Sequence, residues 1–212
     1  MTHDLLAIDI ALLLPEPVDE RARAANAALL AQRPEGFRFD ESHLPHITLA
    51  QQFVPRANLP ALIELIDPII DPILRGIRPL PLRVTGVGSS ATAAHFAIER
   101  TPEIDNLHRI LMDAVQPFEE AGGSAEAFYS DGEPAREPAQ EPSREKDVAW
   151  VSQFRSHSSY DRFSPHITLG IGAPPEFREP FEFNADRVAL CHLGGFCTCR
   201  VVLREWAFQS LR

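Results

Sequence analysis

The sequence predicts an α+β fold built on a largely antiparallel sheet, and three observations carry that reading. Apolar runs of strand length alternate with helical stretches in the order β-α-β-α-β-β-α, followed by a low-complexity segment, a short helix and three more strands. Neighbouring strands are joined by glycine turns too short for a helical crossover. The chain has 212 residues, 44% hydrophobic and 24% charged, which is the composition of a globular protein with material for a real core.

The elements follow in order. Residues 5–14 form an apolar run closed by Pro15 and Pro17, a buried first strand. Residues 18–32 are rich in Ala, Leu and Arg and start with Asp19 and Glu20, so good helix formers fill a helix whose acidic first turn meets the positive end of its dipole. Residues 45–53 alternate as a strand. Residues 58–75 have helical spacing, but Pro68 and Pro72 each remove a backbone donor and predict a break or kink. Residues 80–89 and 93–100 read as a strand pair about a Gly/Ser turn, and 102–121 as an amphipathic helix with Pro102 in its first turn. Residues 122–147 open on Gly122-Gly123-Ser124 and place Pro134, Pro138 and Pro142 at every fourth position. That spacing forbids a helix and defeats a central strand, so a Glu/Pro-rich excursion from a single domain spanning 1–212 is expected. Residues 148–155 read as a short helix and 164–171 as a strand. Residues 181–192 and 196–209 read as the arms of a long hairpin turned at Leu193-Gly194-Gly195.

Charge and cysteine content narrow the function. The formal charge is −10, which argues against a surface that coats long nucleic acid by counterion release. Residues 119–147 carry nine acidic and three basic groups and account for six of those charges, so the acidity says little about the rest of the surface. Three cysteines do not make a disulfide framework, the N-terminus lacks a basic signal-peptide start, and the run 5–14 is too short to span a bilayer. A cytoplasmic monomer that does not act at a membrane is expected.

The most informative feature is Pro45-His46-Ile47-Thr48-Leu49, repeated unchanged as Pro165-His166-Ile167-Thr168-Leu169. At residue frequencies of roughly 5%, a chance match of this length among all window pairs has odds of about one in a hundred. In a strand, His46 and Thr48 share one face while Ile47 and Leu49 share the other, and the second copy behaves likewise. Each copy buries an apolar face and presents an imidazole beside a hydroxyl. Two such pairs facing one cleft suit phosphoester chemistry: one imidazole removes a proton from the attacking oxygen, and the other protonates the leaving oxygen. The threonine hydroxyls can donate to the phosphate as charge develops. No metal or cofactor is required.

These paired His-x-Thr motifs resemble the two signatures of the two-histidine (2H) phosphoesterase superfamily, the LigT-like 2′-5′ RNA ligases and cyclic phosphodiesterases. The resemblance covers most of the chain and implies two pseudo-symmetric α+β lobes, with antiparallel sheets forming a central groove to which each lobe gives one His-x-Thr strand. It implies opening of 2′,3′-cyclic phosphates of RNA ends or nucleotides to 2′-phosphates, with possible 2′-5′ ligation. His46 would protonate the departing 3′-oxygen, His166 would activate water, and Thr48 and Thr168 would hold the phosphate. The partner would be a small nucleotide or RNA terminus. The sequence departs from many members in having Gly170-Ile171-Gly172 where a basic residue follows the second motif. By alternation Gly170 and Gly172 would leave the groove open, and Gln52 would face it.

Other residues offer weaker signals. Cys191, His192, Cys197 and Cys199 lack the spacing of a zinc knuckle, and Cys197 and Cys199 are expected to share a strand face as small buried residues. His157, Tyr160, Arg162 and Phe163 precede the second motif and are candidates for the groove rim, with Tyr160 or Phe163 able to stack on a base. His43 is expected in a solvent-facing loop, and His3, His95, His108 and His192 in structural roles. A module that binds RNA ends or nucleotides in the same groove without chemistry is the alternative to an enzyme.

Overall fold

The computed structural model describes residues 5–76, 79–90, 93–129 and 145–208. In chain order these form β1 (Leu5–Leu13), α1 (Glu16–Gln32), β2 (His46–Pro55), α2 (Leu59–Gly76), β3 (Leu80–Ser90), β4 (Ala93–Ile98), α3 (Pro102–Val115), α4 (Glu145–His157), β5 (His166–Ile171), β6 (Phe181–Ala185), β7 (Arg187–Leu193) and β8 (Cys199–Ala207). The strands make one antiparallel sheet in the order β6-β3-β4-β5-β2-β1-β7-β8. The α+β class and the antiparallel pairing match the sequence reading, but a single continuous sheet takes the place of separate ones. No helix among the described residues is long and apolar enough to cross a membrane.

The sheet is curled. β6 sits at one edge beside β3, and β7 sits beside β1 near the other edge, yet only Asp186 separates them in the chain. A single linking residue reaches no more than about 7 Å, so the two ends of the sheet must approach each other. The expected strand 181–192 therefore divides at Asp186, whose carbonyl accepts a hydrogen bond from Phe208 N at 2.8 Å. A hydrophobic run cannot show that its halves pair with different partners.

Burial follows strand alternation. Leu6, Ile8, Ile10 and Leu12 of β1 enter the main core with Ala22 and Leu29 of α1 and Leu107 and Leu111 of α3. Ala7, Asp9 and Ala11 occupy the opposite face, and all are fully buried. α1 packs under β5, and α3 under β2.

Each motif strand carries a bulge at the same leucine. The β1–β2 register steps from Ala11↔Thr48 to Ile10↔Ala50, and the β4–β5 register from His95↔Thr168 to Ala94↔Gly170, leaving Leu49 and Leu169 as the extra residues. A side chain from the helix below satisfies each bulge carbonyl. Buried Asn26 of α1 donates to Leu169 O at 2.9 Å, and buried His108 of α3 donates through Nδ1 to Leu49 O at 2.6 Å. His108 Nε2 in turn accepts Tyr160 N–H at 2.8 Å, and its ring stacks on Phe163 at 3.9 Å. Replacing His108 by Leu strands the buried Leu49 carbonyl and the part-buried Tyr160 N–H at about 1–3 kcal/mol each, so a loss of about 2–6 kcal/mol is expected in urea unfolding.

Several elements differ from expectation for local reasons. α2 continues through Pro68 without a break: Pro68 and Glu64 are both solvent-exposed, so water can satisfy the freed carbonyl, while buried Leu62, Ile66 and Ile70 anchor the other face. α3 stops at Val115 rather than 121, because Pro117 sits in the following 3₁₀ turn Gln116–Phe118. The start of the expected excursion is packed. Residues Ala125–Phe128 form a 3₁₀ turn, Phe128 is fully buried and meets Phe53 edge-on at 5.9 Å, and Gly123 lies so close to the Phe53 ring that a Cβ would clash at 2.1 Å. α4 begins at Glu145, and the Glu-Pro repeats at 130–144 lie outside the described residues.

Candidate active site

Ile47 of β2 pairs with Ile167 of β5, which sets His46 across from Thr168 and Thr48 across from His166. The repeated motifs thus meet at the centre of the sheet, with both imidazoles and both hydroxyls on the face opposite the apolar residues. Each histidine is locked in the same way. His46 Nδ1 donates to Leu44 O at 2.8 Å, and His166 Nδ1 donates to Ser164 O at 2.8 Å. Nε2 is left on each ring as the nitrogen that can exchange a proton.

The neighbouring strands break this symmetry. Asp9 of β1 is fully buried and pairs in register with Gln51, whereas the equivalent pair beside the second motif is Ala93 and Ile171. Asp9 Oδ2 lies 3.4 Å from His46 Nε2 and accepts from Thr48 Oγ1 and from Gln51 Nε2, each at 2.7 Å. Asp9 Oδ1 is buried with no hydrogen-bond partner among the described residues. On the other side His95 of β4 stands where β1 has Ala11, with its ring centroid 5.1 Å from that of His166.

The electrostatic result differs for the two histidines. Burial pulls the His46 pKa down, but the hydrogen bond and charge of Asp9, with the Leu44 carbonyl, outweigh it and hold it above the ordinary histidine value. Burial lowers the His166 pKa and outweighs the Ser164 carbonyl, and any charge on the neighbouring His95 or His46 lowers it further, although burial biases His95 toward its neutral form as well. One groove therefore holds one imidazole biased toward its charged form and one biased toward its neutral form.

A cleft of about 380 Å³, including its open mouth, runs from Thr48 and His166 along α4 to Trp150 and Phe154, with Arg162 and Phe163 on its rim. Trp150 Nε1 donates to Gln51 Oε1 at 3.0 Å, joining the helix to the Asp9 cluster.

The bulges overturn three expectations about orientation. Beyond Leu49 the alternation steps by one, so Gln51 takes the groove side. Gln52 is buried on the helix side, donating to Val115 O at 2.9 Å and accepting from Arg155. Gly170 and Gly172 likewise turn toward α1 instead of the groove. A Cβ on Gly170 would meet Asn26 Nδ2 at 3.0 Å, one on Gly172 would meet Leu29 at 3.1 Å, and both glycines have φ near +140° (140° and 137°), which disfavours any side chain.

Of the residues before the second motif, Arg162 and Phe163 line the cleft. Phe163 is buried against His108, and the Tyr160 hydroxyl is engaged by Asp113 and Arg155. His43 is buried rather than exposed, bonded to Asp40 and stacked on Phe37. His3 lies outside the described residues. The cysteines and His192 do not assemble into one ligand set. Cys191 and Cys199 are buried together, His192 Nε2 donates to Ala127 O, and Cys197 sits in the turn Gly195–Cys197 instead of sharing a strand face with Cys199. Donor atoms of Asp9, His46 and Cys199 do lie within 4.8 Å of one another, and they are the described side chains placed to take a cation. Burial and the adjacent Cys191 push the Cys199 thiol well above its ordinary pKa and keep it protonated.

The sequence profile of the 2′-5′ RNA ligase superfamily matches residues 14–194, a span that contains both motifs. The chain belongs to that superfamily. As a superfamily member it is a phosphoesterase- or ligase-type enzyme. Its fold is similar to that of TT0787 of Thermus thermophilus, at 18% identity over 96% of this chain and 98% of that one, with a TM-score of 0.58. It is also similar to E. coli LigT solved with 3′-AMP, at 17% identity over 98% and 99% of the two chains and a TM-score of 0.48. No curated protein matches it. In this member Asp9, Gln51, His95 and Trp150 complete the groove, and sequence reasoning assigns none of the four to it. Asp9 interrupts an apolar run, and a buried acid at that point is the one legible signal.

Proposed function

We propose that this superfamily member is a metal-independent phosphoesterase that opens 2′,3′-cyclic phosphates of RNA ends or nucleotides to 2′-phosphates. The observation that carries the reading is the unequal environment of the two histidines on one groove. His166, biased neutral, takes a proton from water through Nε2 as the water oxygen attacks phosphorus. The P–O3′ bond breaks, and His46, biased cationic by Asp9, gives its Nε2 proton to the departing 3′-oxygen. The product carries a 2′-phosphate and a free 3′-hydroxyl, and a proton passed back through solvent restores both rings.

Thr168 donates to a non-bridging phosphate oxygen. Thr48 holds its proton on Asp9 and turns it to the phosphate when that oxygen competes with the carboxylate. Arg162, on the cleft rim, supplies the positive charge missing after the second motif.

The test is incubation of the full chain with 2′,3′-cyclic AMP in excess EDTA, with 2′-AMP and 3′-AMP separated by chromatography. The expected result is steady formation of 2′-AMP, unaffected by chelator. Formation of 3′-AMP would overturn the regiochemistry, loss of activity in EDTA would give Asp9, His46 and Cys199 a catalytic cation, and binding without turnover would mark a non-catalytic module.

A further inference from the structure

We infer that the exposed side chain of Trp150 is the platform on which the base of the nucleotide substrate stacks. The inference deepens the reading above and rests on it for the position of the phosphate. Trp150 is 45% exposed, the most exposed of the large hydrophobic side chains in the described residues. A single exposed apolar side chain is ordinary, but this indole lines the cleft that also holds Thr48 and His166, where its flat ring is available to a ligand.

The ring is held. Its Nε1–H donates to Gln51 Oε1 at 3.0 Å, and the Gln51 amide donates to Asp9 Oδ2 at 2.7 Å and Thr48 Oγ1 at 3.3 Å. Phe154 braces it edge-on at 6.4 Å. A flat aromatic plate is thereby tied, through one amide, to the residues that flank His46. It shares the cleft with Thr48 and His166, so a nucleotide whose phosphate lies between the histidines can place its base on the indole. Stacking of this kind is tolerant of base identity, because every base has a π-face.

The test is titration of the full chain with 2′-AMP and with ribose 2-phosphate as the base-free probe, by calorimetry and by tryptophan fluorescence. Trp206, the other tryptophan, is 4% exposed, so the ligand-dependent signal comes from Trp150. The expected result is quenching by 2′-AMP and none by ribose 2-phosphate. Trp150→Ala should weaken 2′-AMP by about 10- to 100-fold without changing ribose 2-phosphate, and Trp150→Phe, which keeps a ring but loses the Gln51 hydrogen bond, should retain most of the affinity. Equal losses in Ala and Phe variants, or equal losses for both probes, would overturn stacking in favour of a positioning role through Gln51. Because binding is read without turnover, a protein that binds 2′-AMP through Trp150 but opens no cyclic phosphate would uphold the platform while overturning the proposed activity. Normal turnover with unchanged 2′-AMP affinity in Trp150→Ala would do the reverse.

Discussion

His46→Ala and His166→Ala are each expected to lower kcat for a 2′,3′-cyclic nucleotide by about 10²–10⁴-fold, the usual worth of one positioned acid or base. Both variants should stay folded. Each ring is held by an Nδ1 contact with a carbonyl two residues upstream, and His46 also meets Asp9 through Nε2, whereas the strands themselves are fixed by fully buried Ile47, Leu49, Ile167 and Leu169. The double variant should lose little more than the worse single one, because acid and base act in a single step. Steady-state kinetics with thermal unfolding of each variant checks this. Activity within tenfold of wild type in either single variant would contradict paired acid–base catalysis.

Asp9→Asn should alter the pH profile more than the fold. Asparagine can still accept from Thr48 and Gln51 through its side-chain oxygen, but the charge that raises the His46 pKa is gone. The sign follows from the two roles. A general base must be neutral, so the acidic limb of the profile reports His166, whose pKa is lowered. A general acid must be charged, so the alkaline limb reports His46, whose pKa is raised. Between the two limbs both rings are in their working states, and that window brackets the ordinary histidine value of about 6.5. Removing the carboxylate lowers the His46 pKa, moves the alkaline limb to lower pH and narrows the window, with activity falling about tenfold for each pH unit beyond the shifted limb. Measuring kcat across about pH 5 to 9 for both proteins reads this directly. An alkaline limb that stays in place or moves up would show that Asp9 does not tune the acid.

The repeated motif makes the two histidines and two threonines legible in the sequence, and period-2 alternation correctly gives the face on which they stand. The same alternation fails three residues later, because a bulge adds one residue without changing the composition of the strand. Leu49 and Leu169 look like ordinary core positions, yet they decide that Gln51 rather than Gln52 joins the groove and that Gly170 meets α1. Asp9 and His95 come from strands adjacent to the motifs in the sheet but 37 and 71 residues from them in sequence. Trp150 reaches the groove only because α4 packs on β2. Asp186 divides one apolar run between the two ends of a curled sheet, a long-range pairing that local pattern does not encode.

Unequal histidines on one groove are tested most directly by titrating the two motif imidazoles with ¹⁵N-resolved NMR, His46→Ala and His166→Ala assigning their signals among the eight histidines. The expected result is a His46 midpoint above the ordinary value of about 6.5 and a His166 midpoint below it, with both rings carrying the neutral-state proton on Nδ1. A His166 midpoint at or above that of His46 would contradict it.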